Sequence, residues 1–216
     1  MFNDVDVIGA GRAGTAIAAR LRERGIPVRE DAELRLLCVP DRAIGEVARG
    51  IEPGPWIAHV SGGTPLAALD PHVRRFSVHP LQTLVAGRGP EQLDGAWGAV
   101  TGEDEESRLR AGWLAETLGL RPFALADSER AVYHAGAAIA SNFLVTLYRA
   151  AAALFESAGA PPEALVPLLE RTIENGFELT GPIARGDWET VERHRAALEG
   201  SGFEAAYDAL LAVTNR

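Results

Sequence analysis

Chemistry in this chain falls to histidine, serine, asparagine, tyrosine and arginine, because lysine is absent: all 21 Lys+Arg residues are arginine. Mechanisms that need a lysine as proton donor or Schiff-base amine are excluded. His79 opens the segment His79-Pro80-Leu81-Gln82-Thr83, straight after the apolar run Phe76-Ser77-Val78. Histidine is the side chain best suited to donate a proton near neutral pH. Pro80 cannot donate a ladder hydrogen bond, so the ring is expected at the mouth of a site. His134 is the second candidate donor. Ser141 lies seven residues further on and shares its helix face, and Asn142 follows at once. These groups suit a carbonyl or carboxylate, and equally the satisfaction of a helical core. Arg185, in Thr180-Gly181-Pro182-Ile183-Ala184-Arg185-Gly186-Asp187, is a bidentate carboxylate or phosphate donor, or half of a structural ion pair. Tyr133 could donate a proton, but no lysine lies four residues later, so a Tyr-Lys arrangement is out. The five histidines lack metal-ligand spacing, and no metal is expected.

These side chains need a scaffold, and the start of the chain supplies one. Val5, Val7 and Ile8 have strand character, and Gly9, Gly11 and Gly14 follow in the spacing G-x-G-x-x-G. Gly9 permits a tight turn, Gly11 lets a pyrophosphate approach the backbone, and Gly14 lets the next helix pack close. That helix starts near Arg12 and Ala13, and its free N–H groups and dipole suit phosphates. The alternative is a purely structural turn.

Further strands are expected at residues 34–39, 56–60, 75–78, 96–101 and 121–125, alternating with helices, which predicts a parallel sheet. Ile8, Val39, Val60 and Val78 close four of the strands. Pro40-Asp41, Ser61-Gly62-Gly63 and His79 to Gln82 should therefore share the ligand edge with the glycine loop. Asp41, Thr64 and Asp187 read as helix caps. Residues 26–30 carry Arg29 and Glu30 where a second strand would read the adenosine ribose. Only three residues then precede the strand at 34, too few for a parallel crossover. The second strand is thus expected to be missing or irregular, with residues 34–39 pairing directly on residues 5–8. From Asp127 the periodicity becomes helical, with a long helix to about Ala158, then helices near 163–175, 187–198 and 203–213. Domains are expected at 1–126 and 127–216.

The 216 residues are 47% hydrophobic with formal net charge -9, enough for a large core and a surface that repels nucleic acid. Cys38, in Leu36-Leu37-Cys38-Val39, reads as a buried strand residue; a lone cysteine fits a reducing cytoplasm. Met1-Phe2-Asn3-Asp4 has no basic region of a signal peptide. Residues 131–148 carry no formal charge but include His134, Ser141, Asn142 and Thr146, so a buried helix is expected there and no membrane span.

His79-Pro80-Leu81-Gln82-Thr83, Tyr133-His134-Ala135, Ser141-Asn142 and Leu179 to Asp187, with Val39-Pro40-Asp41 and Ser61-Gly62, resemble a bacterial family. That family joins a Rossmann-like N-terminal domain to a C-terminal domain of unknown function 2520. Its architecture is similar to pyrroline-5-carboxylate, ketopantoate and 3-hydroxyacid reductases and 6-phosphogluconate dehydrogenase. The resemblance implies an α/β protein with an all-α C-terminal domain, an NAD(P)-linked oxidoreductase that forms a homodimer through its helices. The 3-hydroxyacid and ketopantoate enzymes carry a lysine one turn before an asparagine; here Asn142 is present and Ala138 holds the lysine position.

Two readings with a ligand follow, beside a third in which the chain is a dimeric scaffold with none. One is a cytoplasmic NAD(P)-dependent oxidoreductase acting on a small keto or imino acid. NADP or NAD would lie on Gly9, Gly11, Arg12, Ala13, Gly14, Pro40 and Ser61. His79, His134 and Asn142 would serve catalysis, and Gln82, Ser141 and Arg185 the acidic substrate. The other reading is a binding protein for a nucleotide or acidic metabolite on a degenerate dinucleotide fold. The shortened segment after Glu30 and the missing lysine favour it.

Overall fold

The computed structural model describes residues 1–214. Short apolar runs form β1 (Val5–Ile8), β2 (Leu34–Leu37), β3 (Trp56–His59), β4 (Arg75–Leu81), β5 (Trp97–Gly102) and β6 (Arg121–Ala124). They make one sheet in the order β1-β2-β3-β4-β5-β6. β1 pairs directly with β2, Val5 opposite Leu34 and Ile8 opposite Leu37, as expected. α1 (Arg12–Glu23) is the crossover. Residues 26–30 form no regular strand. They meet the sheet through a single parallel bridge between Val5 and Val28. The Val5 N–H donates to the Pro27 carbonyl at 3.0 Å, and the Arg29 N–H to the Val5 carbonyl at 3.2 Å.

The wholly parallel sheet expected from the strand–helix alternation is not what forms. β1 to β4 are parallel, but β5 runs antiparallel to β4, and β6 parallel to β5. Between Leu81 and Trp97 the chain holds only a 3-10 turn at Pro90–Leu93. No helix carries it back across the sheet, so β5 starts at the edge where β4 ends and runs the other way. α3 (Glu105–Thr117) then provides the crossover to β6.

Side-chain alternation along the strands feeds two cores. On one face Leu34, Leu36, Phe76 and Val78 pack with Ile17 and Leu21 of α1 and Leu114 of α3. On the other, Leu37 and Ile57 pack with Ile44 and Ala48 of α2 (Asp41–Arg49) and with Leu66 and Leu69. Cys38 is buried, as expected, and burial pushes its thiol up to about 12, which makes it inert. Two expected caps are corrected. α2 begins at Asp41 itself with Pro40 before it and no side-chain cap. Pro65 precedes the 3-10 turn Leu66–Leu69, and the Thr64 hydroxyl is engaged by Ser61 instead.

The chain packs as two compact units, Met1–Ser141 and a second starting at Asn142. Helical backbone runs from α4 (Arg130–Ala138) through a π turn at Ile139–Phe143 into α5 (Leu144–Ser157). The second unit adds α6 (Leu165–Glu174), α7 (Trp188–Leu198) and α8 (Glu204–Thr214). Asp187 caps α7 by accepting from the Thr190 N–H at 3.1 Å, as expected. Arg195 of α7 bonds Asp208 of α8 at 2.8 Å. The long helix is not buried in the single chain, contrary to expectation: Val132, Ile139, Phe143, Leu144 and Val145 are exposed. Within its unit α5 packs against α6 and the turn before it, which leaves the other face bare. The span Asp127–Ser157 is long and apolar enough to cross a membrane by length and composition alone.

Candidate functional site

β1 to β4 are parallel, so their carboxyl ends share one edge of the sheet, where ligands of such folds bind. The glycine loop occupies the β1 end. Gly9 has φ +121°, and a Cβ there would come within 2.5 Å of the Cys38 carbonyl oxygen. A Cβ on Gly14 would overlap the Gly9 carbonyl oxygen, so helix and turn pack closer than any side chain allows. Beside Gly11 nothing lies within 4 Å. α1 has no side-chain cap and no acid in its first turn, so its N–H groups are not engaged by a side chain. Two glycines are fixed by packing and one faces space, the division a diphosphate cradle requires. Arg12 and Ala13 are the first residues of α1, and Pro40 lies between β2 and α2, immediately before Asp41.

At the β4 end, His79 Nδ1 is hydrogen-bonded to the Tyr133 hydroxyl at 2.7 Å. The His134 ring stands 6.1 Å from that of His79, nearly perpendicular to it. Both histidines press on the loop after β3. A Cβ on Gly62 would lie 2.8 Å from His79 Cε1 and 2.9 Å from His134 Cδ2, and one on Gly63 3.1 Å from His134 Nδ1. The Ser-Gly-Gly sequence is thus a seat for two imidazoles. Ser61 holds the loop: its hydroxyl accepts from the Gly63 and Thr64 N–H groups at 3.3 and 3.0 Å and donates to Thr64 Oγ1 at 2.8 Å.

Arg130, fully buried, ties these pieces together. Its guanidinium donates to Asp127 at 2.8 Å, to the Ser61 carbonyl at 3.0 Å and to the Ser77 hydroxyl. Asp127 in turn accepts from the Leu66 N–H at 3.0 Å. The N-terminal end of α4 is therefore pinned to the ends of β3 and β4. Arg130, Tyr133 and His134 follow at helical i, i+3, i+4 spacing, one face of α4.

This setting changes the chemistry expected of His79. Burial first, then the positive charges of His134 and Arg130, lower its pKa to about 4, with Asp41 opposing. At neutral pH His79 is therefore held as a neutral imidazole. His59, buried beneath it at the end of β3, is lowered to about 3, chiefly by burial. It accepts from the Ser61 N–H through Nδ1 at 3.2 Å, the bond of a neutral ring. Burial raises the Tyr133 pKa, with Arg130 opposing, so the phenol keeps its proton.

The structure thus brings together His79, His134 and Ser61, and adds Tyr133 and Arg130. Gln82 is exposed just beyond, its amide oxygen accepting from the Thr83 N–H at 2.8 Å. Ser141 donates to the Ala137 carbonyl at 2.8 Å. Asn142 sits in the π turn, a backbone feature frequent at functional sites that no local sequence signal announces. Arg185 is exposed in the second unit and donates to the Thr180 carbonyl at 2.6 Å. Near the absent strand, Arg29 is bonded to Asp4 at 2.7 Å, and Glu30 is exposed. No cluster of three or more potential metal ligands occurs among the described residues. Arg130 escaped the sequence reading, although its place three and four residues before Tyr133 and His134 was the available signal.

A parallel sheet edge with a glycine cradle at one strand end, followed by an all-helical part, defines a Rossmann-like α/β protein. The chain belongs to the family described as Domain of unknown function (DUF2520), whose model matches residues 96–214. No curated protein matches the chain in sequence. Among solved structures it is similar to a Bacteroides fragilis protein provisionally assigned as an NADP oxidoreductase, with TM-score 0.82 and 22% identity over 99% of this chain and 98% of that one. A Thermotoga maritima protein gives TM-score 0.77 and 24% identity over 97% and 96%. The 1-pyrroline-5-carboxylate reductase of Streptococcus pyogenes gives TM-score 0.63 and 15% identity over 98% and 96%. At these identities the likeness establishes the fold.

Proposed function

We propose that the protein is an NAD(P)-dependent oxidoreductase that reduces a small keto or imino acid. One observation carries the reading: the hydrogen-bonded His79–Tyr133 pair stands on the same sheet edge as the glycine cradle. Gly9, Gly11 and Gly14, with the first turn of α1, fit the diphosphate of a dinucleotide, and the space beside Gly11 admits it. A bound nicotinamide supplies hydride transfer, and the protein supplies position, charge and the proton. Tyr133, neutral at physiological pH, gives its proton to the reduced substrate atom. His79, neutral and donating through Nδ1, holds the phenolate that remains, and the buried Arg130 charge favours that anion. His79 thereby does for Tyr133 what a lysine four residues on cannot do in a lysine-free chain.

The reading includes a cytoplasmic homodimer joined through its helical face, a small acidic substrate, and no nucleic acid. Asn142, Ser141, Gln82 and Arg185 are its candidate substrate ligands, and Arg12, Ala13, Pro40 and Ser61 complete its cofactor set. A second reading, a nucleotide-binding protein without redox chemistry, is favoured by the single bridge that stands where a whole strand would support adenosine.

Calorimetric titration with NADPH, NADH, ADP-ribose and AMP separates the two. Tight binding of NADPH or NADH is expected. Binding of ADP-ribose or AMP alone supports the second reading, and binding of none removes both. Once a substrate is found, Tyr133→Phe should lower turnover by about a hundredfold or more with nucleotide affinity unchanged.

A further inference from the structure

The antiparallel limb of the sheet carries a feature that the proton-transfer pair does not use up. Register places His79, Ala99 and Phe123 in one row across β4, β5 and β6, and Leu81 and Trp97 in the next row on the same face. The opposite face of β5 is filled, since a Cβ on Gly98 would lie 3.0 Å from the Leu120 side chain. On the near face the rings form a line. His79 to Tyr133 is 5.6 Å between centroids, Tyr133 to Phe123 5.9 Å, and Phe123 to Trp97 6.2 Å, each edge-to-face. The line ends in the open: Trp97 is 51% exposed and Leu81 38%.

We propose that this aromatic row is the subsite for an aryl group of the substrate, which makes the substrate an aryl-bearing keto or imino acid. The inference rests on the oxidoreductase reading and narrows its substrate class. Continuity is the first argument. The row begins at the Tyr133 hydroxyl, so a substrate reacting there extends along Phe123 toward Trp97. Geometry is the second. Alternating edge-to-face rings leave both edges and faces for one more flat ring to pack against. Size is the third. Partly exposed Trp97, Phe123 and Leu81 offer at most a few hundred Å², from side chains of roughly 150–250 Å² for each aromatic. A stable protein partner needs about 800 Å² per side.

The test titrates 3-phenylpropionate and propionate into the full-length protein, with and without NADP, and follows the Trp97 indole N–H by NMR. 3-Phenylpropionate should bind at least about tenfold more tightly than propionate and shift the Trp97 signal. Trp97→Ala should bring the two acids to within about threefold of each other, and Trp97→Phe should keep most of the preference. Equal affinity for the two acids in the native protein overturns the proposal, as does a preference that survives Trp97→Ala. A change in sedimenting mass on Trp97→Ala, with the aryl preference intact, assigns the row to contact between copies and also overturns it. An aryl preference without any NADPH or NADH binding sinks the oxidoreductase reading while leaving the subsite in place.

Discussion

His59 and His79 are two histidines whose ionisation the fold suppresses, and this sets a pH dependence. Their pKa values are lowered from the ordinary histidine value of 6.5 to about 3 and about 4. Below pH 6.5 the unfolded chain takes up protons that the native state refuses. The stability tied to their neutrality is therefore full above pH 6.5. It falls as the pH drops, until His79 protonates near 4 and His59 near 3. The expected slope is roughly 1.4 kcal/mol per pH unit for each histidine inside its window. Urea unfolding at pH 7.5, 5.5 and 4.5 should show the decline, and His59→Gln should flatten part of it. A midpoint constant over that range would contradict the burial of these rings. The apolar run before His79 made the strand legible, but the strand continues through His79 and Pro80 to Leu81, past the end expected at Val78. The neutrality of His79 was not legible, because it comes first from burial and then from the charges of His134 and Arg130, on a helix more than fifty positions later.

At the scale of elements, α4 is the piece whose placement makes the site. It brings Tyr133 to His79, and it is anchored by Arg130 at its first turn. Arg130→Met should lower unfolding free energy by about 3 kcal/mol or more, because the Asp127 carboxylate and two acceptors lose their donor. The double variant with Asp127→Asn should recover part of that loss, since the carboxylate no longer stands unpaired. A loss under about 1 kcal/mol for the single variant would show that the anchor is not what fixes α4. Most elements could be read from apolar runs and turn residues. The pairing of residues 34–37 on residues 5–8 was readable too, from the three-residue gap before the second of these strands. The reversal of β5 was not, because a strand looks alike in either direction and only the missing crossover helix at residues 82–96 told them apart. The π turn was equally silent, being one extra residue in a continuous helical pattern.

For the whole molecule, the bare apolar face of the long helix requires a cover. Val132, Ile139 and Phe143, at helical spacing, are exposed along it, and Leu144 and Val145 are exposed beside them. Two copies joined through such faces would hide them, as in the proposed homodimer. Sedimentation should give about twice the 23.0 kDa chain mass, and Phe143→Glu should shift the population toward single chains. A 23.0 kDa species at every concentration would refute the dimer. The strap at residues 26–29 bears on the same question from the side of the sheet. β1 and β6 are the two outermost strands. Open strand borders are templates on which further chains can add. The strap takes up both backbone groups of Val5, and its Pro27 has no N–H to offer outward. At the far border, Pro122 within β6 withholds the same group. A loop too short to be a strand and a proline in the last one thus blunt the sheet at both borders, so growth by strand addition is discouraged and the proposed homodimer is left to the helices.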